Sequence, residues 1–198
     1  MCAVTTKPLK MEQLNHVIDS LEQDANWNYL TITLLLMKAT RVGDLLKTIT
    51  IGDVYDEKGN VRETLEYNEG KTGKHRIIPI KGDRLIHALN KVYQNNRLST
   101  RPRDAGLFYS RKAVGRFDGC TISNVAVNAN LQKFVGECGI EAISSHAIRK
   151  TSVRFMFENG TPIEVISRIL NHSSSEVTYR YICINNQDVN KALSLLEI

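Results

Sequence analysis

Apolar residues at positions 14, 17, 18 and 21 (Leu14, Val17, Ile18, Leu21) fall three and four apart, which predicts an amphipathic helix over Lys10 to Leu21. Trp27 to Leu46 is apolar on nearly every face and predicts a long helix through the centre of a core. Ile32, Leu35, Leu36 and Met37 are its innermost residues, and Arg41 and Asp44 lie near its end. A buried arginine is costly alone, so Arg41 must either pair or bind an anion. The pattern then shortens to strand-like runs over Thr48 to Val54, Arg62 to Asn68 and Lys74 to Ile80. The turns Asp56-Glu57-Lys58-Gly59-Asn60 and Glu69-Gly70-Lys71-Thr72-Gly73 separate them, which predicts an antiparallel meander. Helical spacing returns over 82–96, 121–138, 145–158, 162–170, 174–182 and 187–196. Thr161-Pro162-Ile163-Glu164 and Ser173-Ser174-Ser175-Glu176 read as capping boxes, and Gly160 stands where a helix C-terminal cap is expected. The expected fold is mainly α with a small three-stranded antiparallel β-sheet, without internal repeats or a low-complexity linker.

Length and composition narrow the class. The 198 residues suffice for one domain with its own core, and 42% hydrophobic with 24% charged residues excludes a disordered or fibrous chain. The longest apolar stretch, Leu30 to Met37, falls far short of the about 20 residues that span a bilayer, so no membrane partner is expected. No basic segment leads into an apolar one at the start, so no secretory signal is visible. Cys2, Cys120, Cys138 and Cys183 lie far apart without a CxxC pair, which fits reduced thiols in the cytoplasm and no metal site.

Charge is unevenly distributed. Residues 1–70 carry 7 Lys and Arg against 11 Asp and Glu, residues 71–116 carry 12 against 2, and residues 117–198 carry 7 against 8. One stretch of 46 residues therefore supplies all of the formal +5 excess. Such a concentration suits a phosphate backbone, where neutralised phosphates release counterions, or equally a solvated basic face.

Several short constellations could handle an anion. His146 and Arg149 stand three apart and share a helix face, and both can donate to a phosphate oxygen. His172 lies at the start of a capped helix, where free amides also favour anions. Lys71 sits at a hairpin tip, from which an amine can reach into a groove. Tyr179 and Tyr181 end the last of these helices, and about 200° of rotation separates them, so only one can face a given site. Each residue also has a structural reading: a satisfied histidine, a solvated lysine, a packed tyrosine.

Their order along the chain resembles the catalytic domain of the tyrosine recombinases, the phage integrase family. The resemblance runs from about Lys7 to about Tyr181, through Ala39-Thr40-Arg41-Val42-Gly43-Asp44, Lys71-Thr72-Gly73-Lys74-His75-Arg76, His146-Ala147-Ile148-Arg149 and Leu170-Asn171-His172, to Tyr181 nine residues past His172. It implies that fold and six catalytic residues: Arg41, Lys71, His146, Arg149, His172 and Tyr181 as nucleophile, with Asp44 supporting Arg41. Lys74, Arg76, Arg111 and Lys112 are the expected DNA contacts. Asn171 departs from the family's usual glycine, and Lys150 from its common histidine. Residues 1–198 are expected to form a single catalytic domain without the family's core-binding and arm-binding domains. Both a minimal recombinase and a piece of a longer integrase remain open. The segment from about 186 to 198 reads as an amphipathic tail that docks on a neighbouring protomer or folds back on its own domain.

The implied function is site-specific cleavage and rejoining of double-stranded DNA through a 3′-phosphotyrosyl intermediate, without metal, cofactor or external energy. Arg41 and Arg149 are expected to clamp non-bridging oxygens, and the resemblance makes Lys71 the general acid. His146 would assist proton transfer near the tyrosine and His172 would donate to the phosphate. Implied partners are double-stranded DNA, further copies of the chain as dimers and tetramers on it, and accessory DNA-bending proteins, in the cytoplasm of a bacterium or encoded by a phage or mobile element. Two alternatives are a recombinase-derived DNA-binding module that no longer cuts and a type IB topoisomerase-like enzyme.

Overall fold

A computed structural model describes residues 7–109 and 121–182, with residues 190, 193 and 194 beyond them. Helix α1 (Met11–Gln23) forms where periodicity predicts it and buries Leu14, Val17, Ile18 and Leu21. Helix α2 (Trp27–Met37) is the apolar centre of the main core. It does not continue to Leu46. Lys38 and Ala39 turn their amides back to the Leu35 and Leu36 carbonyls, and Ala39 takes a left-handed φ of 59°. Thr40 Oγ1 donates to the Leu35 carbonyl at 2.6 Å, closing the helix end. Arg41 is extended (φ −90°, ψ 140°) and opens a new short helix, α3 (Val42–Lys47). Hydrophobic spacing runs unbroken across this corner, so it leaves no mark in the pattern.

The run Thr48 to Val54 is not a strand. Asp53 Oδ2 accepts from the Thr50 amide at 2.7 Å and from Thr50 Oγ1 at 2.8 Å, a reciprocal cap that starts the single-turn helix α4 (Ile51–Val54). Among the described residues the sheet therefore has two strands rather than three, β1 (Thr64–Asn68) and β2 (His75–Pro79), paired antiparallel from Thr64 opposite Pro79 to Asn68 opposite His75. Alternation along the hairpin turns Leu65 and Tyr67 inward from β1, and Arg76 and Ile78 inward from β2.

Helix α5 (Asp83–Asn95) buries Leu85, Ala88, Leu89 and Val92 and packs on α2. The stretch expected as one helix over 121–138 is shorter: α6 (Asn124–Leu131) gives way to two 3-10 turns, with Gly136 between them at φ 91°. Helix α7 (Ser145–Glu158) starts at Ser144, whose Oγ accepts from the Ala147 amide, and it also packs on α2. It ends as expected before Gly160, where φ is 80° and the Thr161 amide bonds back to the Met156 carbonyl.

Helices α8 (Ile163–Leu170) and α9 (Ser175–Ile182) fold back on α7 over a second, smaller core of Ala39, Val153, Ile163, Ile166, Leu170 and Ile182. The expected box at Thr161 does not form as read, because Pro162 precedes α8 without a side-chain cap, and at the start of α9 Ser174 Oγ accepts from the Val177 amide at 3.5 Å. Arg111 and Lys112 lie outside the described residues, as does most of 187–196. Among the described residues no helix is long and apolar enough to cross a membrane.

Because Asp53 caps the start of α4 through both the Thr50 amide and Thr50 Oγ1, Asp53→Ala should destabilise the chain by about 0.5–2 kcal/mol. Urea unfolding followed by circular dichroism would check this, with Asp53→Asn as the milder comparison.

Candidate active site

Five segments distant in sequence meet at one cleft of about 940 Å³. Arg41 comes from the α2–α3 corner, Lys71 from the hairpin tip, His146 and Arg149 from the first turns of α7, His172 from the α8–α9 loop and Tyr181 from α9. Folding thus gathers all six residues singled out as catalytic around one space.

A residue that sequence reasoning passed over lies beneath them. Glu69 is buried, with Arg41 Nη1 at 2.5 Å from Oε2 and Arg76 Nη1 at 3.3 Å from Oε1. Thr72 Oγ1 donates to Oε2 at 2.6 Å. Burial alone would push this carboxyl up, but the hydrogen bonds from Arg41 and Thr72, with the Arg41 charge, hold it at about 2. Asp44 keeps an ion pair with Arg41 at 3.9 Å, longer than that of Glu69, while its Oδ1 accepts from the Gly70 amide at 3.0 Å. Arg76, expected on DNA, is 7% exposed and donates inward to Glu69 and, at 2.9 Å, to the Ala39 carbonyl. Its strand phase, shared with Ile78, turns it to the core rather than to a duplex.

Arg149 is also buried, and its Nε lacks a hydrogen-bond partner among the described residues. Burial lowers the pKa of its guanidinium, and the nearby Arg41 and Arg76 lower it further. A buried cation facing a cleft in this state favours an incoming anion.

The Tyr181 ring stands edge-on to both histidines, 5.2 Å from His146 and 5.3 Å from His172 between centroids. Lys150 Nζ lies 5.3 Å from the centre of the same ring. Burial raises the phenol to about 12, with Arg149 and Arg41 pulling the other way. Tyr179 is exposed and does not line the cleft. His172 is depressed to about 4, first by burial and then by the Arg149 and Arg41 charges, and its Nδ1 shares a 3.0 Å hydrogen bond with Thr178 Oγ1. Burial, Lys150 and Arg149 lower His146 as well. Both imidazoles are therefore neutral near pH 7, and the cleft's positive charge rests on guanidiniums and amines.

Lys71 is exposed at the rim, and Lys74 is exposed with Nζ donating to the Asn171 carbonyl at 3.2 Å. That contact ties the hairpin to the loop carrying His172. Asn171 takes a left-handed φ of 55° as the C-cap of α8, a conformation glycine adopts freely and asparagine tolerates. Among the described residues no group of three His, Cys, Asp or Glu side chains comes together to hold a metal ion.

Residues 6–188 match the Phage integrase family, and the chain belongs to this family of tyrosine recombinases. Among its relatives, the probable integrase/recombinase YoeC of Bacillus subtilis is 28% identical over 185 residues, covering 92% of this chain and 91% of the relative. The tyrosine recombinase XerC-like protein of Caldanaerobacter subterraneus is 28% identical over 146 residues, or 71% of this chain and 36% of that protein. In structure the chain resembles XerA recombinase, with a TM-score of 0.72 at 21% identity over 99% of this chain and 66% of XerA. It also resembles XerH site-specific recombinase bound to palindromic difH in a post-cleavage complex, with a TM-score of 0.73 at 18% identity over 97% of this chain and 54% of XerH.

Glu69→Gln should destabilise the fold by about 3–5 kcal/mol at neutral pH, because it leaves the buried Arg76 and the partly buried Arg41 without their shared anion. The pH dependence has a definite sign. Both His172 and Glu69 are depressed in the fold, so both stabilise above their ordinary values and lose that contribution on acidification. The windows run from 6.5 down to about 4 for His172 and from 4.5 down to about 2 for Glu69. Thermal melts of Glu69→Gln should keep the upper slope and flatten below pH 4.5.

Proposed function

We propose that this chain carries the catalytic site of a site-specific DNA recombinase, cutting and rejoining double-stranded DNA through a 3′-phosphotyrosyl intermediate. The observation that carries this reading is the single cleft shared by Arg41, Lys71, His146, Arg149, His172 and Tyr181. Tyr181 Oη attacks phosphorus and forms a P–O bond to the 3′ side. The P–O5′ bond breaks, and Lys71 Nζ supplies the proton to the departing oxygen. Arg41 and Arg149 hold the non-bridging oxygens while negative charge builds. Neutral His146, edge-on to Tyr181, receives or relays the phenolic proton, and neutral His172 donates a hydrogen bond to the phosphate. The reverse attack by a 5′ hydroxyl on the ester reseals a strand, so the bond energy is kept throughout.

The relatives support this assignment by their names, integrase, recombinase and, in Staphylococcus aureus, transposase B from transposon Tn554. The chain spans only 26–39% of several of these, against 91% of YoeC. Structural neighbours include a lambda integrase dimer bound to a core site, which supports self-association on DNA; that the segment near 186–198 docks on a neighbour is proposed from its amphipathic sequence alone. The reading places the enzyme in the cytoplasm, on chromosomal or mobile-element DNA.

The test uses a pool of nicked duplexes with a randomised centre, in which the strand needed for rejoining is lost after cleavage. Wild type and Tyr179→Phe should yield detergent-resistant protein–DNA adducts, and Tyr181→Phe none. Arg149→Ala should form them about 100- to 1,000-fold more slowly. A wild type that binds DNA and forms no adduct would establish the non-cutting module, and relaxation of supercoiled DNA without site preference would establish the topoisomerase. Affinity for duplex DNA should fall linearly in log–log form with salt, as measured by fluorescence anisotropy; a flat response would remove the basic segment from the interface.

A further inference from the structure

The proposed general acid occupies an unusual place. Lys71 is exposed, on a hairpin tip whose sequence, Gly70-Lys71-Thr72-Gly73, offers little stiffness of its own. Yet both of its chain neighbours are fastened to carboxylates that belong to the arginine cluster. On one side the Gly70 amide donates to Asp44 Oδ1 at 3.0 Å, and a Cβ at Gly70 would stand 3.0 Å from Thr48 Oγ1, so the backbone itself is pressed against this support. On the other side Thr72 Oγ1 donates to Glu69 Oε2 at 2.6 Å, the same oxygen that Arg41 Nη1 meets at 2.5 Å. The Lys74 amide donates back to Thr72 Oγ1 at 3.3 Å, and the Gly73 amide to the Glu69 carbonyl at 2.7 Å. The lysine therefore hangs between two pinned residues, and one of the pins shares its anion with the arginine that would hold the phosphate.

We propose that Thr72 is a positioning residue, which with Glu69 and Asp44 fixes the Lys71 amine relative to the Arg41 guanidinium and so couples proton delivery to phosphate binding. A hydroxyl is needed at 72 because it serves two partners at once, donating to Glu69 while accepting from the Lys74 amide. This inference rests on the general-acid reading of Lys71, and the experiment separates the two.

The duplex captured by the wild type is made in two forms, with oxygen or with sulfur as the 5′ bridging atom. A departing thiolate, with a conjugate thiol pKa of about 8.5, leaves without a proton, so the sulfur substrate bypasses the general acid. Lys71→Ala should lose about 100- to 10,000-fold in adduct formation on oxygen and recover on sulfur. Thr72→Val should lose about 10- to 100-fold on oxygen, recover on sulfur, and leave duplex affinity unchanged. Thr72→Ser should behave as wild type on both. Thr72→Val equally slow on both substrates, or unimpaired on oxygen, overturns the positioning role while the lysine's role stands. Lys71→Ala unrescued by sulfur overturns the general-acid reading itself. A readout without DNA completes the test: amide exchange at Lys74 should quicken in Thr72→Val, and unchanged exchange overturns the proposal even if no duplex is ever captured.

Discussion

The structure depends on one buried carboxylate. Glu69 sits between Arg41 and Arg76 and accepts from Thr72, so a single side chain joins the α2–α3 corner to the hairpin. Without that anion, two neighbouring guanidiniums would repel, and the corner and hairpin would be left with the hydrogen bonds from Arg76 to the Ala39 carbonyl and from the Gly70 amide to Asp44. With it, cationic groups can be kept close enough together for one phosphate to touch more than one of them. The site is thus assembled around an internal counter-charge before any nucleic acid arrives.

The same electrostatics sort the remaining groups by protonation. Burial and neighbouring cations keep His172 and His146 neutral, able to accept or relay a proton, while the guanidiniums stay charged. Burial keeps the Tyr181 phenol protonated in the free protein, with a pKa near 12. On the proposed reading, a phosphate bound between Arg41 and Arg149 supplies the geometry in which that proton leaves, so the nucleophile stays inert until a substrate fills the cleft.

Much of this was legible in the sequence. Helical spacing placed α1, α5, α7, α8 and α9 close to their observed limits, and motif order identified six side chains that do line one cleft. What escaped had physical causes. The corner at Ala39 is hidden because apolar residues continue through it, and a backbone reversal leaves no signature when the burial pattern does not change. The lost third strand turned on a local competition, in which Asp53 captured the Thr50 amide that a ladder would have used. Glu69 and Arg76 were missed for a different reason, since their signal was present. Leu65, Tyr67 and Glu69 share one strand phase, as do Arg76, Ile78 and Ile80, so simple alternation already assigns both charges to the interior. Reading Glu69 as part of a turn, and Arg76 as part of a basic patch, obscured that phase.

Ala39 is wholly buried and holds a left-handed backbone, which costs about 1–2 kcal/mol for a residue with a Cβ. Glycine would take the same shape at ease, and would also let the joint swing. An alanine there trades conformational comfort for rigidity: the elbow between two helices becomes a fixed bracket, its carbonyl gripped by Arg76. Arg41, two residues further on, inherits that stiffness. A strand passed back and forth between ester and hydroxyl meets the same unmoving cation at each exchange.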